Sequence, residues 1–210
     1  MEFEVNNIEE IVELIMKKMS ESGVSTSNNS TNGVFENVDE AIAEAKKAQT
    51  VLFSSKLELR ERIIASIRDT LKSHITELSE LAVKETGMGR VADKELKNRI
   101  AIEKTPGLED LKAFAFSGDD GLTVMELSPY GVIGAITPST NPSETVICNS
   151  IGMIAAGNAV IFAPHPGAKR TSIRAVELIN EAIKKAGGPD NLVVTITEPS
   201  IENTEKIIAN

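Results

Sequence analysis

The sequence has no tryptophan, one tyrosine and six phenylalanines, so aromatic residues make up only 3% of its 210 positions. Proteins that hold single-stranded nucleic acid stack bases on aromatic rings, and those that hold a duplex present a basic stripe. Here 31 acidic residues outnumber 22 basic ones, leaving a net charge of −9. No nucleic-acid partner is expected.

Cysteine is equally scarce. Cys148 is alone, so no internal disulfide can form, and a reducing compartment is implied. With only two histidines, His74 and His165, the chain has no metal-ligand spacing. No Gly-x-x-x-x-Gly-Lys-Ser/Thr segment occurs, which removes the usual ATP loop. The most apolar run, residues 151–164, is broken by Gly152, Gly157 and Asn158 and is too short to span a bilayer. The opening MEFEVNNIEEIVEL carries acids where a secretory signal needs basic residues and an unbroken apolar core. These absences predict a soluble cytoplasmic protein without membrane contact.

What remains is ordinary globular material, 41% apolar and 25% charged, in a chain long enough to bury a core. Residues 6–19 place Ile8, Ile11, Val12, Ile15 and Met19 on one stripe of a short helix. Its acids lie early and its lysines late, as the helix dipole favours. A Ser/Thr/Asn/Gly linker follows, so residues 1–19 form an amphipathic helix on a polar tether spanning 20–34. Such a helix either docks on a partner or packs back on its own domain.

Residues 35–128 read as helical with one strand. Val38, Ala41, Ile42 and Ala45 mark a first helix, and Leu57 to Leu71 a second. Ile75 to Val83 mark a third, ending at Gly87. The stretch GMGRVA matches a dinucleotide fingerprint, but it follows a helix rather than a strand and reads as a C-cap and loop. Residues 122–126 switch to a period of two, the mark of a strand.

From residue 129 strands and helices alternate: GVIGAIT, a helix over 143–156, a buried strand at 159–162, a helix over 168–186, then LVVTI and a further helix. Strands separated by helices of this length form parallel β-α-β units, whose ligands bind beyond the carboxyl ends of the strands. Two strand-to-helix turns, 138–141 and 164–169, therefore mark a candidate ligand edge.

In the first turn Ser139, Thr140 and Asn141 offer hydroxyl and amide donors, and Pro142 suits a first helical turn whose N–H groups face an anion. Alternatively, Asn141 is only an N-cap. In the second turn His165 can meet a nucleotide and Lys169 or Arg170 a phosphate, or the charges are merely solvated. Cys148 lies mid-helix among Val146, Ile147, Ile151 and Ile154, where a thiol is inert rather than nucleophilic.

The segments PYGVIGAITPSTNPSETVICNSIGMIAAGNAVIFAPHPGAKRTS (129–172) and AGGPDNLV (186–193) together resemble the aldehyde dehydrogenase superfamily, specifically its CoA-acylating branch in bacterial microcompartments. The helical block from Val38 to Gly87 resembles that family's N-terminal region. The resemblance implies an α/β fold in which a helical region precedes a parallel Rossmann-like sheet, incomplete in this chain. Residues 129–210 would be part of an NAD-binding domain. The implied reaction is NAD-dependent oxidation of a small aldehyde, acetaldehyde or propionaldehyde, to acyl-CoA through a cysteine thioester.

By the same resemblance Thr137, Pro138 and Ser139 face the nicotinamide side, with Thr140 and Asn141 as oxyanion-hole candidates. Ala163, Pro164, His165 and Pro166 face the adenosine side. The front helix resembles a peptide that routes such enzymes to a microcompartment shell protein, and the full-length parent is expected to be a homo-oligomer. Three departures stand out. Relatives with Trp-Asn-Phe-Pro at the turn align that asparagine with Thr140, not Asn141. Their adenosine-side lysine is replaced by Ala163. Cys148 does not match the nucleophile, which is expected outside these residues. The other reading is a catalytically inactive nucleotide-binding or shell-interaction module.

Overall fold

The computed structural model describes residues 32–210, which form one compact unit. The expected docking helix and most of the polar tether lie outside the described residues. In chain order the elements are β1 (Val34–Phe35), α1 (Val38–Phe53), α2 (Leu57–Lys72), α3 (Ile75–Thr86) and α4 (Val91–Lys104). There follow β2 (Phe114–Gly118), β3 (Gly121–Met125), β4 (Val132–Thr137), α5 (Pro142–Ala155), β5 (Ala159–Pro164), α6 (Lys169–Lys185), β6 (Val193–Ile196) and α7 (Ile201–Ala209).

Local signals start and stop these helices. Asn37 Oδ1 accepts from the backbone N–H of Asp39 at 2.8 Å and of Glu40 at 3.2 Å, capping α1. Gly87 ends α3 in the left-handed region at φ 67°, as a C-cap should. Among the described residues no helix is long and apolar enough to cross a membrane.

Four strands form a parallel sheet in the order β1-β6-β5-β4, the α/β architecture expected from the alternating pattern. Helices α1 and α7 pack together over the sheet, as do α5 and α6. Central strand β5 is consequently buried along its whole length, with Phe162 fully enclosed. Strand β4 is half-buried, and its Gly134 lies where a Cβ would press into Ile207 of α7. A single apolar cluster runs from Phe35 and the faces of α1 and α2 through the sheet to Ile207.

Two features depart from the sequence reading. A strand opens the region read as helical, because Val34 and Phe35 pair with Thr195 and Ile196 of β6. Asn180 of α6 secures that edge by donating to Val193 O at 2.6 Å, Val176 O at 3.0 Å and Asn32 O at 3.3 Å. Gly33, at φ 84°, leaves room for that amide where a Cβ would collide with it. Secondly, the strand expected at 122–126 has a partner: β2 and β3 make an antiparallel hairpin, exposed at every residue.

Candidate functional site

Strands β4 and β5 run in register from Val132 opposite Ala159 to Thr137 opposite Pro164. Their carboxyl ends therefore emerge together. The His165 N–H donates to Thr137 O at 3.0 Å, which ties the two following turns side by side. The amino end of β4 is fixed separately, by Asn158 Oδ1 accepting from the backbone N–H of Tyr130 at 2.7 Å and of Gly131 at 3.0 Å.

In the first turn Thr137 is only 1% exposed, yet its Oγ1 has no hydrogen-bond partner among the described residues. An orphaned hydroxyl at a strand end calls for a ligand or ordered water, since burial without one is costly. Pro138 and Thr140 are exposed, and Ser139 and Asn141 are partly so. Asn141 occupies the N-cap position of α5 but makes no capping bond with its side chain. Its Oδ1 instead accepts from Lys97 Nζ at 3.0 Å. The carbonyl of Thr140 accepts from Lys94 Nζ, which also meets Glu144 Oε1 at 3.5 Å. Glu144 Oε2 accepts from Ser143 Oγ at 3.2 Å.

Lys94 and Glu144 are 3% and 7% exposed, so this is a buried ion pair wedged under the turn. Sequence reasoning passed over Lys94, Lys97 and Glu144. The signal was nonetheless present: positions 94, 98, 101 and 102 share the core-facing side of α4, and a lysine and an asparagine occupy the first two. Asn98 donates to Ser79 Oγ at 3.0 Å, while its Oδ1 has no hydrogen-bond partner among the described residues.

In the second turn Ala163 and Pro164 are buried as the end of β5, whereas His165 and Pro166 are exposed. His165 Nδ1 accepts from the Gly167 N–H at 3.0 Å, shaping the short 3₁₀ turn Pro166–Ala168. The basic residues are less available than expected. Lys169 Nζ donates to both carboxylate oxygens of Glu198 at 2.7 Å. Glu85, reaching from α3, accepts from Arg170 N at 2.8 Å, Thr171 N at 2.8 Å and Thr171 Oγ1 at 2.7 Å, so a carboxylate already occupies the N-terminus of α6.

Cys148 is partly buried, and its Sγ lies 3.1 Å from Thr105 Oγ1, whose hydroxyl donates to Ala101 O at 2.6 Å. That thiol faces the end of α4, about two turns from Asn141 along α5. A cavity of about 630 Å³ lies at the other end of β4, lined by residues including Arg60, Leu111, Tyr130, Ile133 and Met153. A second, of about 330 Å³, is bounded by Lys46, Gln49, Val132, Ile161 and Ile207. Neither includes the Thr137–Asn141 turn. No group of side chains suited to a metal ion occurs among the described residues.

A model of the aldehyde dehydrogenase family matches residues 16–210, nearly the whole sequence. The chain belongs to the aldehyde dehydrogenase family. Among curated relatives, an acetylating acetaldehyde dehydrogenase of Salmonella typhimurium is 48% identical over 201 residues, covering 96% of this chain and 43% of the relative. A propionaldehyde dehydrogenase of Rhodopseudomonas palustris, solved with bound CoA and an acylated cysteine, is 52% identical with a TM-score of 0.83. That match covers 85% of this chain and 41% of the solved one. A propionaldehyde dehydrogenase from a Clostridium phytofermentans fucose-utilisation microcompartment is 51% identical with a TM-score of 0.81, covering 82% and 40% respectively. The chain thus spans about two fifths of the length of these relatives. Within this aldehyde dehydrogenase sequence, the segment so matched contains both turns and the buried pair beneath the first.

Proposed function

We propose that the chain forms the nicotinamide-dinucleotide-binding part of a CoA-acylating aldehyde dehydrogenase that converts a small aldehyde, acetaldehyde or propionaldehyde, to its acyl-CoA. The observation carrying this reading is the pair of adjacent turns at the carboxyl ends of β4 and β5, with the unpartnered Thr137 hydroxyl between strand and turn. Ligands of open parallel sheets bind at such ends. In this reading Thr137, Pro138 and Ser139 would line the nicotinamide side, and Ala163, Pro164, His165 and Pro166 the adenosine side. NAD supplies the hydride acceptor when bound.

The chain's own residues would hold and orient. Thr140 and Asn141 supply donors toward a carbonyl oxygen that gains negative charge, beside the N-terminus of α5, whose dipole favours an anion. Cys148 is partly buried mid-helix and does not match the position of the family's nucleophile, so another cysteine would bear the acyl group. Partners follow the same reading. The exposed hairpin carries Phe114, Phe116, Leu122 and Val124 on its surface, supporting a homo-oligomeric contact in the full-length parent. Residues 1–19 would dock on a microcompartment shell protein, placing the enzyme in the cytoplasm within such a compartment.

Isothermal titration of the chain with NADH is expected to show saturable binding, with Kd between about 1 μM and 1 mM as for ordinary enzyme substrates. The chain alone should form no NADH from NAD, aldehyde and CoA. Absence of saturable binding would remove the dinucleotide reading, and aldehyde-dependent turnover would show that the thiol had been misassigned. Deleting residues 1–19 should leave the melting temperature of the remaining chain unchanged and abolish co-purification with shell proteins; retained co-purification refutes the docking role.

A further inference from the structure

Helix α4 presents Lys94 and Lys97 one turn apart on the side that meets the Thr140–Asn141 turn. We propose that Lys97 is a positioning residue that makes the Asn141 carboxamide the outward hydrogen-bond donor of this turn, with Lys94 locking the backbone beneath it. The inference rests on the reading of the turn as a donor to a developing oxyanion, and it selects Asn141 over Thr140.

A carboxamide has an acceptor end and a donor end, whereas an ammonium group can only donate. The end of Asn141 that faces Lys97 Nζ at 3.0 Å must therefore be its oxygen, which fixes the otherwise ambiguous amide orientation. The NH₂ group is then left without a protein acceptor among the described residues. Asn141 also forgoes the capping bond its position would allow, so the amide is held by Lys97 rather than by its own helix.

Thr140 is placed differently. Its carbonyl is drawn inward to the buried Lys94, and its hydroxyl sits on an exposed residue with no partner to fix its rotation. A donor already oriented, and polarised by a cation on its acceptor side, stabilises developing charge better than a free rotor. Asp93, the acid one turn before Lys97, is hydrogen-bonded by Arg90 Nε at 2.7 Å and Nη2 at 3.1 Å, so Lys97 acts on it only through charge while its own hydrogen bond goes to Asn141.

The test uses the ¹⁵N-labelled chain with acetate as a carboxylate stand-in for the oxyanion. The side-chain NH₂ signals of Asn141 are assigned by their loss in Asn141→Ser. Acetate should shift those signals in the wild-type chain. Lys97→Met should weaken that response about tenfold, the loss of one charge-assisted hydrogen bond, while α5 backbone amides and Tm stay put. Lys97→Arg should retain it. Wild-type acetate affinity in Lys97→Met overturns the inference, as does acetate that leaves the Asn141 signals unmoved or shifts Thr140 instead. NADH added to the same wild-type sample tests the dinucleotide reading separately: if it moves no amide of residues 137–141, that reading fails whatever acetate does.

Discussion

Replacing Lys94 with methionine is expected to lower the melting temperature of the chain by roughly 10 °C, from the ~3–5 kcal/mol lost when one partner of a buried ion pair is removed. The side chain of Glu144 is 9% exposed and would be left without its counter-ion. The Thr140 carbonyl would lose its ammonium donor at the same time. Removing both charges together, in Lys94→Met with Glu144→Gln, should recover most of the loss because no uncompensated charge remains. Thermal unfolding followed by far-UV circular dichroism checks both. A single variant that melts with the wild type would mean that the pair contributes nothing to the turn's rigidity.

Phe162→Ala should be comparably damaging, at about 3–5 kcal/mol. Phe162 lies in the middle of β5, a strand flanked by β4 and β6 and packed by helices, and its side chain is fully enclosed. That is a large share of the ~5–15 kcal/mol by which domains are stable. The control is Phe116→Ala in the hairpin, a ring 59% exposed, whose loss should stay within about 0.5 kcal/mol. Urea unfolding gives both values from the shift in midpoint. Equal losses would place the hairpin in a packed core that the chain does not otherwise display.

The helical block, the β-α-β order and the Gly87 cap were legible in the sequence because each depends on neighbours a few residues away. The spacing of Ile63, Ile64, Ile67 and Leu71 marks a helix face without knowing what covers it. The candidate turns were legible for a related reason: Pro138 and Pro142 bracket a break between a β-branched strand and a helix. The contents of the turns were less so. Asn141 reads as an N-cap and Lys169 as a phosphate ligand, yet one is turned to Lys97 and the other is held by Glu198. The hairpin's first strand went unread: it is as exposed as its partner, and its pairing with Gly121–Met125 is what makes Phe114–Gly118 a strand.

By itself the sequence determined the class of the protein, a helical block leading into parallel β-α-β units, since period and turn chemistry act over short distances. Tertiary structure alone decided which distant groups meet. Val34 and Phe35 become a strand only because β6 arrives beside them some 160 residues later. Lys94 is tolerable in the core only because Thr140 and Glu144, 46 and 50 residues on, fold over its ammonium. A buried charge is stable solely in the company of its partner, and nothing in the local pattern around residue 94 says where that partner will be.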